Sequence, residues 1–153
     1  MSFEGVPAIY FNSLFGKSND EAKYIITGNN RDVNRYKWNY KNISKKLSNK
    51  NSKQSIFFQK ISNLLSVRRK QKAFHPNASR RIINLGSKIF SFKRISIDRK
   101  QTIICITNLS SITQRTKLDK VYRNWNNLIG SKIQVNDNLL ILKPFETIWL
   151  SNR

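Results

Sequence analysis

The sequence contains few side chains that could perform covalent chemistry. Its single histidine, His75, and single cysteine, Cys105, are too few for a nucleophilic triad or a metal site. Paired carboxylates could do acid and base work, but the adjacent Asp20 and Glu21 lie in a polar stretch typical of a solvated turn. The sequence therefore predicts no catalytic residue, no metal and no cofactor. The eight carboxylates are Glu4, Asp20, Glu21, Asp32, Asp98, Asp119, Asp137 and Glu146.

Arginines are better candidates for binding than the carboxylates are for catalysis. Arg31, Asp32 and Arg35 lie together in the polar run 30–35, Asn-Arg-Asp-Val-Asn-Arg. A planar guanidinium can donate two parallel hydrogen bonds to a sugar hydroxyl and a carboxylate, which a lysine cannot do.

The charge of the chain has two explanations. With 29 Lys and Arg against 8 Asp and Glu in 153 residues, the net charge is +21, which is typical of a small basic nucleic-acid-binding protein. Asn and Ile each occur 19 times and Lys 18 times, the bias of an AT-rich coding sequence. The basic residues are spread along the chain, and the tightest cluster, Arg68 to Lys72, would also suit the C-terminus of a helix. We therefore expect no specific nucleic-acid partner and keep nucleic-acid binding as the alternative function.

Several elements must position these residues. The apolar run 5–11 has the length of a strand buried on both faces, as in parallel sheets, and residues 12–40 show no apolar periodicity. A short helix is predicted over 41–48, and a longer one from an N-cap at Ser52 to about Lys72. From residue 79 the apolar period changes to two, which indicates an antiparallel sheet or sandwich. Its predicted strands are Arg80–Leu85, Lys88–Ile95, Gln101–Leu109, Leu139–Lys143 and Phe145–Leu150.

The motifs together resemble one enzyme family. The run 5–16, Gly-Val-Pro-Ala-Ile-Tyr-Phe-Asn-Ser-Leu-Phe-Gly, is similar to the eighth barrel strand of the sucrose phosphorylase-like group of the α-amylase superfamily. Run 30–35 resembles that group's Arg-Asp-Ile-Asn-Arg motif. Runs 68–78 and 149–153 are further matches, so the resemblance covers essentially the whole chain.

The resemblance implies an α+β fragment. Residues 1–78 would be the last strand, substrate-side loop and helices of a (β/α)8 barrel, and residues 79–153 an antiparallel β-domain at the C-terminus. It implies a retaining transfer of glucose from sucrose or a related glucoside to phosphate. The two carboxyl groups for such chemistry, about 5–5.5 Å apart, would lie on earlier strands. By this resemblance Arg35 would reach the glucosyl unit, with a solvated loop arginine as the alternative. Arg31 and Asp32 would shape the loop beside it, with Asp32 as an arginine partner. The chain alone would be inactive.

Partners and location follow from the same reading. The implied partners are the glucoside, phosphate and a barrel half that a separate gene could encode. A free-standing carbohydrate-binding β-module over 79–153 is a third possibility, with Trp125 and Trp149 as its available platforms. The lone cysteine favours the cytoplasm. No apolar run approaches the roughly 20 residues that cross a bilayer, and the first sixteen residues lack the basic residues of a secretory signal.

Overall fold

The computed structural model describes residues 1–153 except 131, 132, 134, 137 and 138. The chain divides into two compact units. The β unit comprises Met1–Val6 and Ser66–Arg153, and the helical unit comprises Pro7–Leu65. No helix in the described part of the chain is long and apolar enough to cross a membrane.

The helical unit contains more regular structure than the sequence predicts. Its helices are α1 (Phe11–Leu14), α2 (Glu21–Thr27) and α3 (Tyr40–Ser48), followed by α4 (Lys53–Arg69), whose last turn enters the β unit; a 3-10 turn spans Asn30–Val33. The two predicted helices are confirmed, and the Ser52 hydroxyl accepts from the Ser55 N–H at 3.1 Å as the expected N-cap. The predicted strand over 5–11 is wrong: residues 5–10 pair with no strand, and Phe11 begins α1. A strand needs hydrogen-bonded neighbours, and none of the described strands lies alongside it.

The described residues of the β unit form two antiparallel sheets. Among these residues all five predicted strands are present with ends shifted by at most two residues, and three short strands were missed. The larger sheet has the order β1-β2-β3-β8-β5 and the smaller β4-β7-β6. The strands are β1 (Ser79–Asn84), β2 (Ile89–Ile95), β3 (Thr102–Asn108), β4 (Gln114–Lys117), β5 (Asn126–Asn127), β6 (Val135–Asn136), β7 (Leu139–Leu142) and β8 (Thr147–Ser151).

The central strand β3 is buried on both faces. Alternate residues of a strand point to opposite faces, so Ile104 and Ile106 share one face while Ile103 and Cys105 share the other. Ile104 and Ile106 join a core with residues of both sheets. On the opposite face, burial raises the pKa of the Cys105 thiol to about 12, so the thiol stays protonated at neutral pH. That core consists of Ile89, Ile104, Ile106, Leu118, Leu140, Leu142, Ile148 and Leu150.

Two buried arginines hold the first six residues against the β unit. Arg94 on β2 donates to the carbonyl of Ser2 at 2.9 Å, and Arg68 donates to the carbonyls of Met1 and Gly5. The Phe3 ring packs on Phe92 with the ring centroids 5.2 Å apart. We call Met1–Val6 the N-terminal strap, because these contacts tie it across the larger sheet.

Gly16 offers a test of packing in the helical unit. It follows α1 with a φ of +57°, and a Cβ built there would lie 2.7 Å from the Phe57 ring on α4. The positive φ and the close Phe57 ring both disfavour any residue other than glycine at this position. We expect Gly16→Ala to lower the free energy of unfolding by about 1–3 kcal/mol, measured by urea denaturation. Gly28→Ala is the matched control, since Gly28 has a φ of +63° but open space around its Cβ; equal losses would show that the Phe57 contact costs nothing.

Candidate functional site: the arginine loop

The candidate site is the segment that connects α2 to α3, which we call the arginine loop (residues 28–38). Asp20 is the N-cap of helix α2, and its side chain accepts from the Lys23 N–H at 3.2 Å. Gly28 is the C-cap, in the left-handed conformation, and its N–H donates to the Tyr24 carbonyl at 2.8 Å. These caps define a helix whose apolar residues show no clear stripe. The loop therefore leaves α2 from a fixed point.

The first half of the loop is organised around Asp32. The Asn29 side chain accepts from the Arg31 N–H at 3.1 Å, which starts the 3-10 turn. The Asp32 carboxylate lies 3.3 Å from the Lys23 ammonium. A hydrogen bond from Thr27 and this ammonium lower the pKa of Asp32. Asp32 thus pairs with a lysine of α2, and the predicted arginine partner is wrong. Its contacts are those of a residue that shapes the loop, as predicted.

A single buried amide holds the second half of the loop. Asn12 in α1 is 6% exposed, and its amide N–H groups donate to the carbonyls of Asn34 at 3.0 Å and Tyr36 at 3.2 Å. Its amide oxygen accepts from the Trp38 indole N–H at 2.8 Å. The Tyr10 hydroxyl donates to the same Asn34 carbonyl at 2.9 Å. The backbone on both sides of residue 35 is therefore fixed.

Arg35 itself faces solvent, as does Arg31. Within the described residues, neither guanidinium has an ion pair or a hydrogen bond to a protein group. The loop thus presents two guanidiniums with their donors available, one of them on a backbone held from both sides. Such a group can donate to vicinal hydroxyls, to a carboxylate or to a phosphate oxygen.

Trp38 lies within the unit and does not extend from the loop. Its ring packs edge-on against Tyr36, with centroids 4.9 Å apart, and against Phe15 at 5.8 Å. Phe15 in turn stacks on Phe58 of α4 at 5.8 Å. A tryptophan at this position could stack on a sugar ring or cover the helix that follows. Its packing and its hydrogen bond to Asn12 favour the structural role.

Most of the described carboxylates make capping hydrogen bonds or ion pairs with nearby groups. Asp20 and Asp119 cap helical turns, Asp32 pairs with Lys23, and Glu4 lies 3.2 Å from Arg80. Asp98 closes the β2–β3 turn, where hydrogen bonds from Ser96 and Lys100 hold its pKa far below the usual range. Asp137 lies outside the described residues. No group of three or more possible metal ligands occurs in the described part of the chain.

The tightest basic cluster is only partly available to a partner. Arg68 is 7% exposed and donates to the Phe74 carbonyl at 3.1 Å as well as to the N-terminal strap. Lys72 lies 3.2 Å from Asp98. Arg69, Lys70 and Lys72 are exposed, and only Arg68 of the four is buried. Because Arg68 is used inside the β unit and Lys72 is paired with Asp98, two charges of the cluster remain unpaired among the described residues, which weakens the nucleic-acid alternative.

The tryptophans of the β unit do not form an exposed platform. Trp149 is 3% exposed and packs on Phe74 with centroids 4.8 Å apart. Trp125 is partly buried and packs edge-on against Tyr122 at the same distance of 4.8 Å. A free-standing carbohydrate-binding module would need an exposed aromatic platform, and Trp149 cannot supply it because β8 turns this residue inward.

Curated relatives match nearly the whole chain. Glucosylglycerate phosphorylase of Escherichia coli (strain K12) is 29% identical over 154 aligned positions, which span 98% of this chain and 26% of the relative. That of Allomeiothermus silvanus is 31% identical over 98% of this chain and 25% of the relative. That of Spirochaeta thermophila is 32% identical over 74% of this chain and 19% of the relative.

The chain belongs to the sucrose phosphorylase-like group of the α-amylase superfamily. It corresponds to a C-terminal part of such an enzyme and spans about a quarter of the length of the E. coli relative. No protein-family model matches the chain.

Solved structures of the superfamily share the fold. Trehalulose synthase from Pseudomonas mesoacidophila MX-45 matches 71% of this chain and 19% of its own with a TM-score of 0.53 and 17% identity. An α-amylase from H. orenii matches 72% of this chain and 22% of its own with a TM-score of 0.52 and 20% identity. At these identities the likeness concerns the fold alone.

Asn12 is the residue of this site that sequence reasoning missed as a loop anchor. It lies 22 and 24 residues from the two carbonyls that it binds, so no local pattern reveals the contact. The one feature of the sequence that could have indicated Asn12 is its position in the family-like run 5–16, which was interpreted as a strand.

Proposed function

We propose that this chain contributes the substrate-side arginine loop and the C-terminal β unit of a retaining glucosyl-transferring phosphorylase. Its substrates would be sucrose or a related glucoside and phosphate, and its product glucose 1-phosphate. The observation that carries the proposal is the pair of Asn12 hydrogen bonds that fix the backbone around Arg35 while its guanidinium stays available. The glucosylglycerate phosphorylase relatives support the same reaction class.

Each loop residue has a proposed role. Arg35 donates to hydroxyls of the glucosyl unit at the bond that is cleaved, and its charge steadies a carboxylate supplied by another part of the enzyme. Arg31 lies at the edge of the same subsite. Asp32, held by Lys23 at 3.3 Å, keeps the turn in shape and makes no direct contact with the sugar.

The two carboxyl groups of the reaction would come from a polypeptide with the earlier barrel strands. Most carboxylates of this chain serve as caps or ion pairs, so we propose that the chain alone has no activity. Within the helical unit, Ile25 and Ile26 on α2 are 79% and 84% exposed, and Tyr40 is 82% exposed. Exposed apolar side chains of this size support an interface with another polypeptide segment.

A hybrid enzyme tests this function. The aligned quarter of the E. coli relative is replaced by this chain, and glucose 1-phosphate is measured with glucosylglycerate or sucrose plus phosphate. We expect turnover from the hybrid and none from the chain alone. Arg35→Lys should lower kcat/KM about 100-fold, because a point charge replaces the planar fork. Arg69→Lys, at an exposed arginine of α4, is the matched control.

Several outcomes would count against the proposal. Turnover by the isolated chain would show that the carboxylates lie within it. A hybrid that folds by circular dichroism yet makes no product would contradict the reaction class. If the hybrid does not fold, co-expression of this chain with the remaining part of the relative provides the same assay, and a soluble complex without turnover would have the same meaning. Tight binding to DNA with a steep salt dependence in place of turnover would favour the nucleic-acid alternative.

A further inference from the structure

The Asn12 side chain makes three hydrogen bonds to one short segment. It is 6% exposed and uses both N–H groups and its oxygen on Asn34, Tyr36 and Trp38. A weaker contact joins its nitrogen to the Tyr10 hydroxyl at 3.4 Å. A primary amide offers two donors and an acceptor oxygen in a single plane, and the site uses both donors and the oxygen.

The partners fix which way the amide faces. An indole N–H can only donate, so the amide oxygen must face Trp38. The two backbone carbonyls can only accept, so the amide nitrogen must face Asn34 and Tyr36. No other natural side chain of this size provides this set: aspartate lacks the donors, and leucine lacks both donors and acceptor. The requirement for asparagine is therefore chemical.

The two accepting carbonyls flank Arg35 directly. Holding residues 34 and 36 removes the backbone freedom of residue 35, so only its side-chain torsions remain free. Displacement of a binding group by about 1 Å can cost about 100-fold in rate. A residue that fixes the Cα of a substrate-binding arginine can thus influence turnover without touching the substrate.

We propose that Asn12 is a positioning residue that holds Arg35 for the glucosyl unit. This inference rests on the proposed function, because it requires Arg35 to contact substrate. Trp38 takes part through the indole hydrogen bond that orients the amide, and the Tyr10 hydroxyl supports the Asn34 carbonyl at 2.9 Å. Asn12 acts on the reaction only through Arg35.

A double-mutant cycle in the hybrid enzyme tests the proposal. We expect Asn12→Ala to lower kcat/KM by about 10- to 100-fold. In an Arg35→Ala background the same change should cost less than about threefold, because the group that it positions is gone. A merely structural role would lower the activity of both backgrounds equally. Asn63→Ala, at an exposed asparagine of α4, is the matched control and should leave kcat/KM unchanged.

A milder variant keeps the test decisive if Asn12→Ala does not fold. Trp38→Phe retains an aromatic ring against Phe15 and Tyr36 and removes only the hydrogen bond to the amide oxygen. We expect a loss of about 3- to 10-fold in kcat/KM that also disappears in the Arg35→Ala background. Thermal melts establish that each variant is still folded at the assay temperature.

The outcomes separate the two proposals. If Arg35→Ala leaves kcat/KM unchanged, the substrate-binding role of Arg35 is wrong and the positioning role fails with it. If Arg35→Ala lowers kcat/KM but the Asn12 and Trp38 changes add fully to it, the function stands and the positioning role alone is overturned.

Discussion

Arg94→Ala is expected to remove about 3–5 kcal/mol from the free energy of unfolding, enough to unfold much of a marginally stable protein. Arg94 is 0% exposed and donates to three backbone carbonyls, those of Ser2 at 2.9 Å, His75 at 2.8 Å and Ala78 at 3.2 Å. Alanine would leave these acceptors unpaired and a cavity beneath the N-terminal strap. Urea denaturation, followed by circular dichroism, measures the loss.

Two further substitutions at Arg94 separate charge from volume. Burial lowers the pKa of Arg94, yet a guanidinium remains charged at any accessible pH. Arg94→Met restores most of the volume and should recover part of the stability, whereas Arg94→Lys keeps the charge without the planar fork and should not. Arg115→Ala, at an exposed arginine of β4, should change the free energy of unfolding by less than about 0.5 kcal/mol. Full stability of Arg94→Met would mean that the three carbonyls need no donor.

Asn108→Ala should cost about 2–4 kcal/mol by a different route. This residue ends β3 and is 0% exposed. Its nitrogen donates to the carbonyls of Ile112 at 2.8 Å and Lys143 at 2.9 Å, and its oxygen accepts from the Ser110 N–H at 2.9 Å. One amide thus links the turn after β3 to the turn after β7, so its loss affects both sheets.

The aspartate variant adds a pH signature. Asn108→Asp would direct a carboxylate oxygen at the carbonyls of Ile112 and Lys143, and burial among acceptors raises the pKa of such a group. Because the folded state would then bind the proton more tightly, the free energy of unfolding should fall as the pH rises above about 4, the unfolded value. Asn108→Ala should show no such added dependence. Asn124→Ala, at an exposed asparagine, is the control, and equal pH profiles for all three variants would contradict the assigned contacts.

The parts of the fold that the sequence predicted are those whose signal is local. In β3 the apolar residues Ile104 and Ile106 fall on the face that joins the core, and Ser52 marks the start of α4 with its own hydroxyl. By contrast, β4 (Gln114–Lys117) is polar throughout and was missed. Helix α2 was missed because its apolar residues form no clear stripe. Its ends are set by the caps Asp20 and Gly28.

Long-range contacts account for the other differences. An arginine is usually found at the surface of a protein. No local pattern indicates that Arg68 and Arg94 are buried with their guanidiniums hydrogen-bonded to backbone carbonyls. The strand expected over 5–11 depended on neighbours that are not among the described strands. In the candidate site, the resemblance supplied Arg35 and its loop, whereas the Asn12 contacts that hold it span 22 and 24 residues.

The N-terminal strap also sets the order in which the chain can mature. Ser2 binds Arg94, which follows it by 92 residues, and Met1 binds Arg68, which follows by 67. A ribosome adds about 5–20 residues per second, so the strap waits several seconds for its partners to be made. Contacts so distant in sequence form slowly. Until β2 has been made, Phe3 therefore lacks Phe90 and Phe92, the two rings with which it packs in the folded protein.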